Sequence, residues 1–81
     1  MMQDSEVLHA IDSLVKEEHH LMTEAEHGGL SEEQRQRLHA AQVQLDQCWD
    51  LLRQRRARRE FGQDPDDAQV RDANTVEHYK A

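Results

Sequence analysis

The chain contains little of what β-strands and tight turns require. Its 81 residues include one proline and three glycines, so long stretches carry no residue that interrupts a helix. Tryptophan, tyrosine and phenylalanine occur once each, and the β-branched residues that favour strands are also few. We therefore expect an all-α fold.

The chain also lacks the features of secreted and membrane proteins. Cys48 is the single cysteine, which excludes an internal disulfide and suits a reducing compartment. Residues 1–6 have neither the basic start nor the apolar run of a signal peptide. No run approaches the roughly 20 apolar residues of a membrane span. We expect a cytoplasmic protein without membrane contact.

One-third of the residues are charged, and the net charge of -7 is distributed unevenly. Residues 53–60 contain five arginines and one glutamate, which gives +4 and leaves -11 for the rest of the chain. The five arginines, called the arginine block below, are Arg53, Arg55, Arg56, Arg58 and Arg59. Such a block has two candidate partners, the chain's own acids and an external anion.

Two long helices are predicted from apolar residues that recur every three or four positions. The first is expected over about residues 5–27, with Asp4 or Ser5 as its N-cap. The second is expected over about residues 32–61 and starts at a capping box that follows Ser31.

A loop of a few residues forces these helices to be antiparallel neighbours, so residues 1–62 are predicted to form a coiled-coil-like helical hairpin. The predicted core residues are Ile11, Leu14, Leu21, Leu38, Leu45, Cys48, Trp49 and Leu52. Glu18 lies at the centre of the first helix's apolar stripe. It either fixes the alignment as a hydrogen-bonded polar group or directs its head group outward beside Ala41.

Residues 63–81 are predicted to form an acidic C-terminal tail. Asp64-Pro65-Asp66-Asp67 combines an N-cap, a proline at the first helical position and two acids, which predicts a short helix near residues 65–71. The remainder is polar and is expected to be extended or to lie along the hairpin. Its apolar anchors are Val70, Val76 and Tyr79.

The back of the second helix is uncharged, which is unusual on a helix surface in a chain so rich in charge. This uncharged back consists of Ala40, Val43, Gln47, Leu51 and Gln54, with Gln36 and Gln44 beside them. It is expected to contact either the tail or a second copy of the chain. We favour a homodimer in which two hairpins form a four-helix bundle, because a bundle also buries the wide apolar stripe of the first helix.

The acids and histidines do not converge on a catalytic or metal site in this interpretation. Glu17 with His20, and Glu24 with His27, repeat the Glu-x-x-His spacing of di-iron bundles. All four project onto the solvent side of the helix. Cys48 lacks the exposed, basic surroundings of a reactive thiol. We therefore expect no enzymatic activity, no metal and no cofactor.

The arginine block is the best candidate for a functional site, because it extends beyond the end of the first helix. Pairing with the chain's own acids is favoured: Asp4 and Glu6 can face Arg55 and Arg56, and the acidic tail can fold back. The alternative is a nucleic-acid-associated regulator whose helical arginines contact phosphates. The acidic net charge and the absence of interleaved aromatics argue against nucleic acid.

The stretch LDQCWDLLRQRRARR at residues 45–59, followed by Phe61-Gly62 and Asp64-Pro65-Asp66, resembles a known family. This is the set of short actinobacterial proteins catalogued as domain-of-unknown-function family 2630. The resemblance extends over nearly the whole chain and implies a stand-alone cytoplasmic protein, without implying any activity. The leading hypothesis is a non-enzymatic protein-protein interaction or scaffold module with an unidentified protein partner.

Overall fold

The computed structural model describes residues 3–77, which form two long antiparallel helices and two short helical segments. Helix α1 spans Asp4–Gly28 and packs along helix α2, which spans Glu32–Glu60. A 3₁₀ turn spans Pro65–Asp67, and helix α3 spans Ala73–Glu77. Residues 3–77 contain no strand, so the all-α prediction is confirmed. Within the same residues, neither long helix has an apolar stretch of the length that a bilayer crossing demands.

The start of α1 differs from the prediction, because Gln3 rather than Asp4 or Ser5 is its N-cap. Gln3 has extended backbone, and its N–H donates to Glu6 Oε1 at 3.1 Å. Asp4 is the first helical residue, and its carboxylate binds arginines of α2 instead of capping its own helix. The start of α1 therefore carries both a local cap and a distant ion pair.

Both ends of α2 follow from its sequence. Ser31 and Gln34 form the predicted capping box, with Gln34 N–H donating to Ser31 Oγ at 3.1 Å and Ser31 N–H donating to Gln34 Oε1 at 3.0 Å. The helix ends just before Gly62, whose φ of 70° lies in the left-handed region. Such a residue after a helix end favours glycine.

The core lies between α1 and α2 and is completed by the chain that follows α2. Val7, Ile11, Leu45 and Leu51 form its buried cluster, and Val7 has no exposed surface. The half-buried residues packed against this cluster are Leu14, Cys48, Leu52 and Ala68. Leu21 and Ala41 are buried nearer the interhelical loop. Leu38, a predicted core residue, is half-buried.

Trp49 does not belong to the core, contrary to the prediction. It is 45% exposed, whereas its neighbour Asp50 is 3% exposed. Trp49 lies about 60–80° around α2 from the seam that faces α1, on the side where a groove remains open between α1 and α3. Glu18 is half-buried at the same edge, where it lines an open groove together with Trp49.

The segment after α2 returns along the hairpin. Asp64 caps the 3₁₀ turn by accepting from Asp66 N–H at 2.9 Å, and the turn ends at Asp67, so the helix predicted near 65–71 is shorter than expected. The α3 helix was not predicted; Asp72 accepts from Thr75 N–H at 2.7 Å at its start, and this bond lowers the pKa of Asp72.

The apolar residues expected to anchor this segment differ in how deeply they are buried. Val76 is 1% exposed and does anchor it, whereas Val70 is 57% exposed and does not. Tyr79 lies outside the described residues. Residues 64–77, called the return segment below, are thus fixed by one buried apolar side chain near their end and by polar contacts along their length.

We expect Val7→Ala to lower the free energy of unfolding by about 2 kcal/mol, because it removes two fully buried methyl groups and leaves a cavity. Val70→Ala is the matched control, since its side chain is mostly exposed; its effect should stay within about 0.5 kcal/mol. Urea denaturation followed by far-UV circular dichroism measures both. Equal losses for the two variants would contradict the described packing of α1 on α2.

Candidate interaction surfaces

Arg55 is a buried cation at the junction of three segments. Its side chain is 6% exposed. The Nε atom donates to Asp4 Oδ1 at the start of α1, and Nη1 lies 3.2 Å from both Pro65 O and Asp66 Oδ1 in the return segment. One guanidinium therefore joins α1, α2 and the return segment through charge-assisted hydrogen bonds.

Asp4 is held by a second arginine. Arg59 Nη2 donates to Asp4 Oδ2 at 2.7 Å. Hydrogen bonds from Arg55 and Arg59 hold the pKa of Asp4 below its ordinary 3.8, and the same bond to Asp4 raises the pKa of Arg55. The carboxylate is thus ionised at neutral pH, and the network is fully formed there.

The arginine block is divided by this network. Arg55 is covered, and Arg59 is engaged by Asp4. Arg56 is exposed, and Glu6, expected to face it, accepts from Gln3 N–H instead. The chain's own acids therefore engage part of the block, and the nucleic-acid hypothesis stays a prediction to which the buried Arg55 does not contribute.

The return segment lies on the uncharged back of α2. Gln47 Nε2 donates to Arg71 O at 3.1 Å, and Gln54 Nε2 donates to Gln69 O at 2.7 Å. Leu51 is buried, and Val43 is half-buried beside Val76 in the lining of the groove. Ala40 alone of the five predicted residues is exposed. Of the two expected covers, the chain's own segment is the one that the structure places here.

Asp50 is a functional candidate that sequence reasoning missed. Its side chain is 4% exposed, and its Oδ2 accepts from Gln54 Nε2 at 2.8 Å and lies 3.5 Å from Arg71 Nε. The signal was present in the spacing, since Asp50 stands three residues after Gln47 and four before Gln54 and so shares their face. Its carboxylate therefore lies between two amide side chains of the uncharged back.

A groove of about 990 Å³ opens beside α2 on the side of Trp49. Its floor includes Leu45 and Val76, and its rim carries the acids Glu18, Asp46 and Glu77. His39 Nε2 lies 3.4 Å from Glu77 Oε1 across one end. The groove therefore combines buried apolar residues with charged residues at its edges.

A row of exposed apolar side chains runs along α1. Leu8, Val15 and Met22, called the α1 row below, are spaced by seven residues and are 50%, 45% and 50% exposed. Glu18 stands three residues after Val15 and four before Met22, so it shares their side of the helix. Because Glu18 lines the same groove as Trp49, the α1 row and Trp49 lie on one side of the hairpin.

The two Glu-x-x-His pairs have partners of their own. Glu17 lies 3.4 Å from Arg37 Nε, and His20 Nε2 lies 3.2 Å from Glu24 Oε1. His27 Nδ1 lies 2.8 Å from Thr23 O. Among residues 3–77, no three side chains of histidine, cysteine, aspartate or glutamate come together as metal ligands would. Burial raises the pKa of the Cys48 thiol.

Comparison of the sequence with known protein families gives a match. A family model described as "Protein of unknown function (DUF2630)" matches residues 3–81. The chain belongs to this family. The match confirms the resemblance of residues 45–66.

An uncharacterised protein of Mycobacterium tuberculosis is 54% identical to this DUF2630 chain over 77 residues, which cover 94% of the chain and 88% of the relative. An uncharacterised protein of Mycobacterium bovis is similar to the same extent. No solved structure matches the chain. DUF2630 membership therefore brings a family and no stated activity.

We expect the Arg55 network to make stability depend on pH in the acid range. Because the pKa of Asp4 is lowered on folding, its contribution is fully present above about pH 4 and is lost as the pH falls through the lowered value. Asp4→Asn should cost about 1 kcal/mol at neutral pH, since the carboxylate is 35% exposed and partly screened. Its stability should then fall less steeply than that of the wild type below pH 4.

Urea denaturation at stepped pH values measures this difference. Asp12→Asn is the matched control, because Asp12 is 59% exposed and pairs with Lys16 on the same helix; it should change stability by less than about 0.5 kcal/mol. Parallel acid profiles for the wild type and Asp4→Asn would contradict the role given to Asp4.

Proposed function

We propose that the protein is a non-enzymatic, cytoplasmic helical module that self-associates through the α1 row and Trp49. The observation that carries this proposal is the half-exposure of four large apolar side chains on one side of a small hairpin. Single exposed apolar residues are common, but a row at helical spacing is typical of a contact surface.

The spacing of the apolar residues supports a helical partner. One set on α1, at positions 7, 11, 14 and 21, faces α2 and is buried or half-buried. A second set, at positions 8, 11, 15, 22 and 25, also fits the alternating three- and four-residue steps of a heptad seam, in which Glu18 takes the position between 15 and 22. A helix with two such seams is expected to contact two helices, as in a bundle. Within residues 3–77, α2 is the helix that packs against the first of these two seams.

The dimensions of the hairpin suit a second copy. The described chain measures 50 × 26 × 17 Å, so its broad side can supply the roughly 800 Å² per partner of a stable interface. The uncharged back, where we first expected a dimer, is occupied by the return segment. The α1 row is therefore the surface left for a four-helix bundle of two hairpins.

The orientation of the two copies follows from Glu18. In a parallel pair of α1 helices, Glu18 of each copy would face its equivalent, and like charges so close are unfavourable. An antiparallel arrangement separates the two carboxylates along the helices. We therefore favour antiparallel α1 helices related by a two-fold axis.

We expect the wild-type chain to sediment as a dimer of its 9.5 kDa subunit at micromolar concentration. The triple variant Leu8→Glu, Val15→Glu, Met22→Glu should be monomeric and retain its helicity, because it puts three charges in the proposed interface. Sedimentation equilibrium measures both masses.

The matched control is His9→Glu, Ser13→Glu, Thr23→Glu, which adds three acids at exposed positions of α1 outside the row. It should remain dimeric. A monomeric wild type at these concentrations, or equal dissociation of both triple variants, would contradict the proposal.

A further inference from the structure

The uncharged back of α2 holds the return segment by its main chain. Gln47 and Gln54 are seven residues apart and lie on one face, and each donates its side-chain amide to a backbone carbonyl, of Arg71 and Gln69 respectively. Residues 69 and 71 lie in the irregular stretch before α3, and both of their carbonyls are directed toward α2. Contacts of this kind do not depend on the side chains of the segment, and proteins that bind extended peptides use them.

Two further features of the face favour particular side chains in the segment that binds it: a buried carboxylate and an apolar site. The carboxylate of Asp50 is 4% exposed in an otherwise uncharged surface, and Arg71 Nε lies 3.5 Å from its Oδ2. A buried carboxylate requires a donor or a cation, so the face favours arginine at this position. Five residues further on, Val76 fills an apolar site and is 1% exposed.

The resident segment is held by Arg55 at its start and by Val76 near its end, and less strongly between them. Arg55 binds Pro65 and Asp66, which fixes the exit from α2. Beyond that point Val70 is 57% exposed and the Arg71 side chain is 45% exposed. Hydrogen bonds at a surface contribute modestly, and ordering each residue opposes them. Residues 69–76 are therefore expected to open locally at a lower free energy than the hairpin unfolds.

We infer that the uncharged back of α2 is a peptide-binding face whose resident ligand is residues 69–76 of its own chain. Its external ligand is a segment of a partner protein that adopts the conformation of residues 69–76, an irregular stretch followed by a helical turn, and that carries an arginine followed, five residues later, by a small apolar residue. The external segment displaces residues 69–76 while Arg55 keeps the start of the return segment in place. This face is separate from the α1 row, so the inference does not rest on the proposed dimer.

A peptide with the sequence of residues 66–77, labelled with a fluorophore, tests the inference on the full chain. In the wild type the tethered segment competes at an effective concentration in the millimolar range. The double variant Arg71→Ala, Val76→Ser weakens this competitor and leaves the face intact. Fluorescence anisotropy should show the peptide binding to the double variant at least about tenfold more tightly than to the wild type.

Control peptides and a control chain identify the contacts. A peptide with Arg71→Ala should bind the double variant at least about tenfold more weakly, whereas a peptide with Val70→Ala should bind as the unchanged one does, because Val70 is exposed. Adding Asp50→Asn to the double variant should weaken binding of the unchanged peptide by a similar factor. Equal binding of all peptides, or no effect of Asp50→Asn, would overturn the inference.

Hydrogen exchange on the wild-type chain tests the same inference without the double variant, in case that variant fails to fold. An excess of the unlabelled peptide should accelerate exchange of the amides of residues 69–76 and leave those of α1 unchanged. Unaltered exchange at saturating peptide would overturn the inference. A wild-type dimer that is lost on Arg71→Ala would assign the face to a second copy and overturn its assignment to a foreign partner.

Discussion

The structure depends on one guanidinium at the arginine-rich end of α2, where two acidic stretches of chain meet it. The start of α1 and the return segment each bring a carboxylate to the same end of α2, and in a chain of net charge -7 these would repel one another. Arg55 lies between Asp4 and Asp66 and makes each approach attractive. Because its side chain is 6% exposed, these contacts are screened less than surface pairs would be. A buried charge without its partners is costly, so the three segments are held to this one arrangement.

The same residue determines which side of α2 the return segment covers. Arg55 Nη1 binds the segment at Pro65 and Asp66, and from there the chain runs back along the side of Gln54, Asp50 and Gln47. That side becomes buried although it is polar. The opposite flank, with Trp49, remains open although it carries the largest apolar side chain. Burial along α2 is therefore decided by the path of a distant segment and not by the hydrophobicity of each residue.

This explains which parts of the structure the sequence could predict. The two helices, their antiparallel pairing and the capping box at Ser31 follow from local spacing and short-range chemistry, and the all-α fold followed from composition. Trp49 and Asp50 are adjacent, and residue type alone assigns the first to the core and the second to the surface, which is the reverse of what is found. The difference comes from contacts between residues more than 50 positions apart, such as Asp4 with Arg55, which leave no periodic pattern in the sequence.

One side of the hairpin is covered by the return segment and the other is left exposed, which is a physical argument for the proposed association. A chain of 81 residues buries a smaller share of its surface than a larger domain does, so each apolar side chain left in water weighs more heavily. The return segment covers the side of α2 where polar contacts guide it, and it does not reach the α1 row. Leu8, Val15 and Met22 therefore keep about half of their surface in water along one straight edge. The second hairpin of the proposed dimer would cover this edge without requiring further sequence.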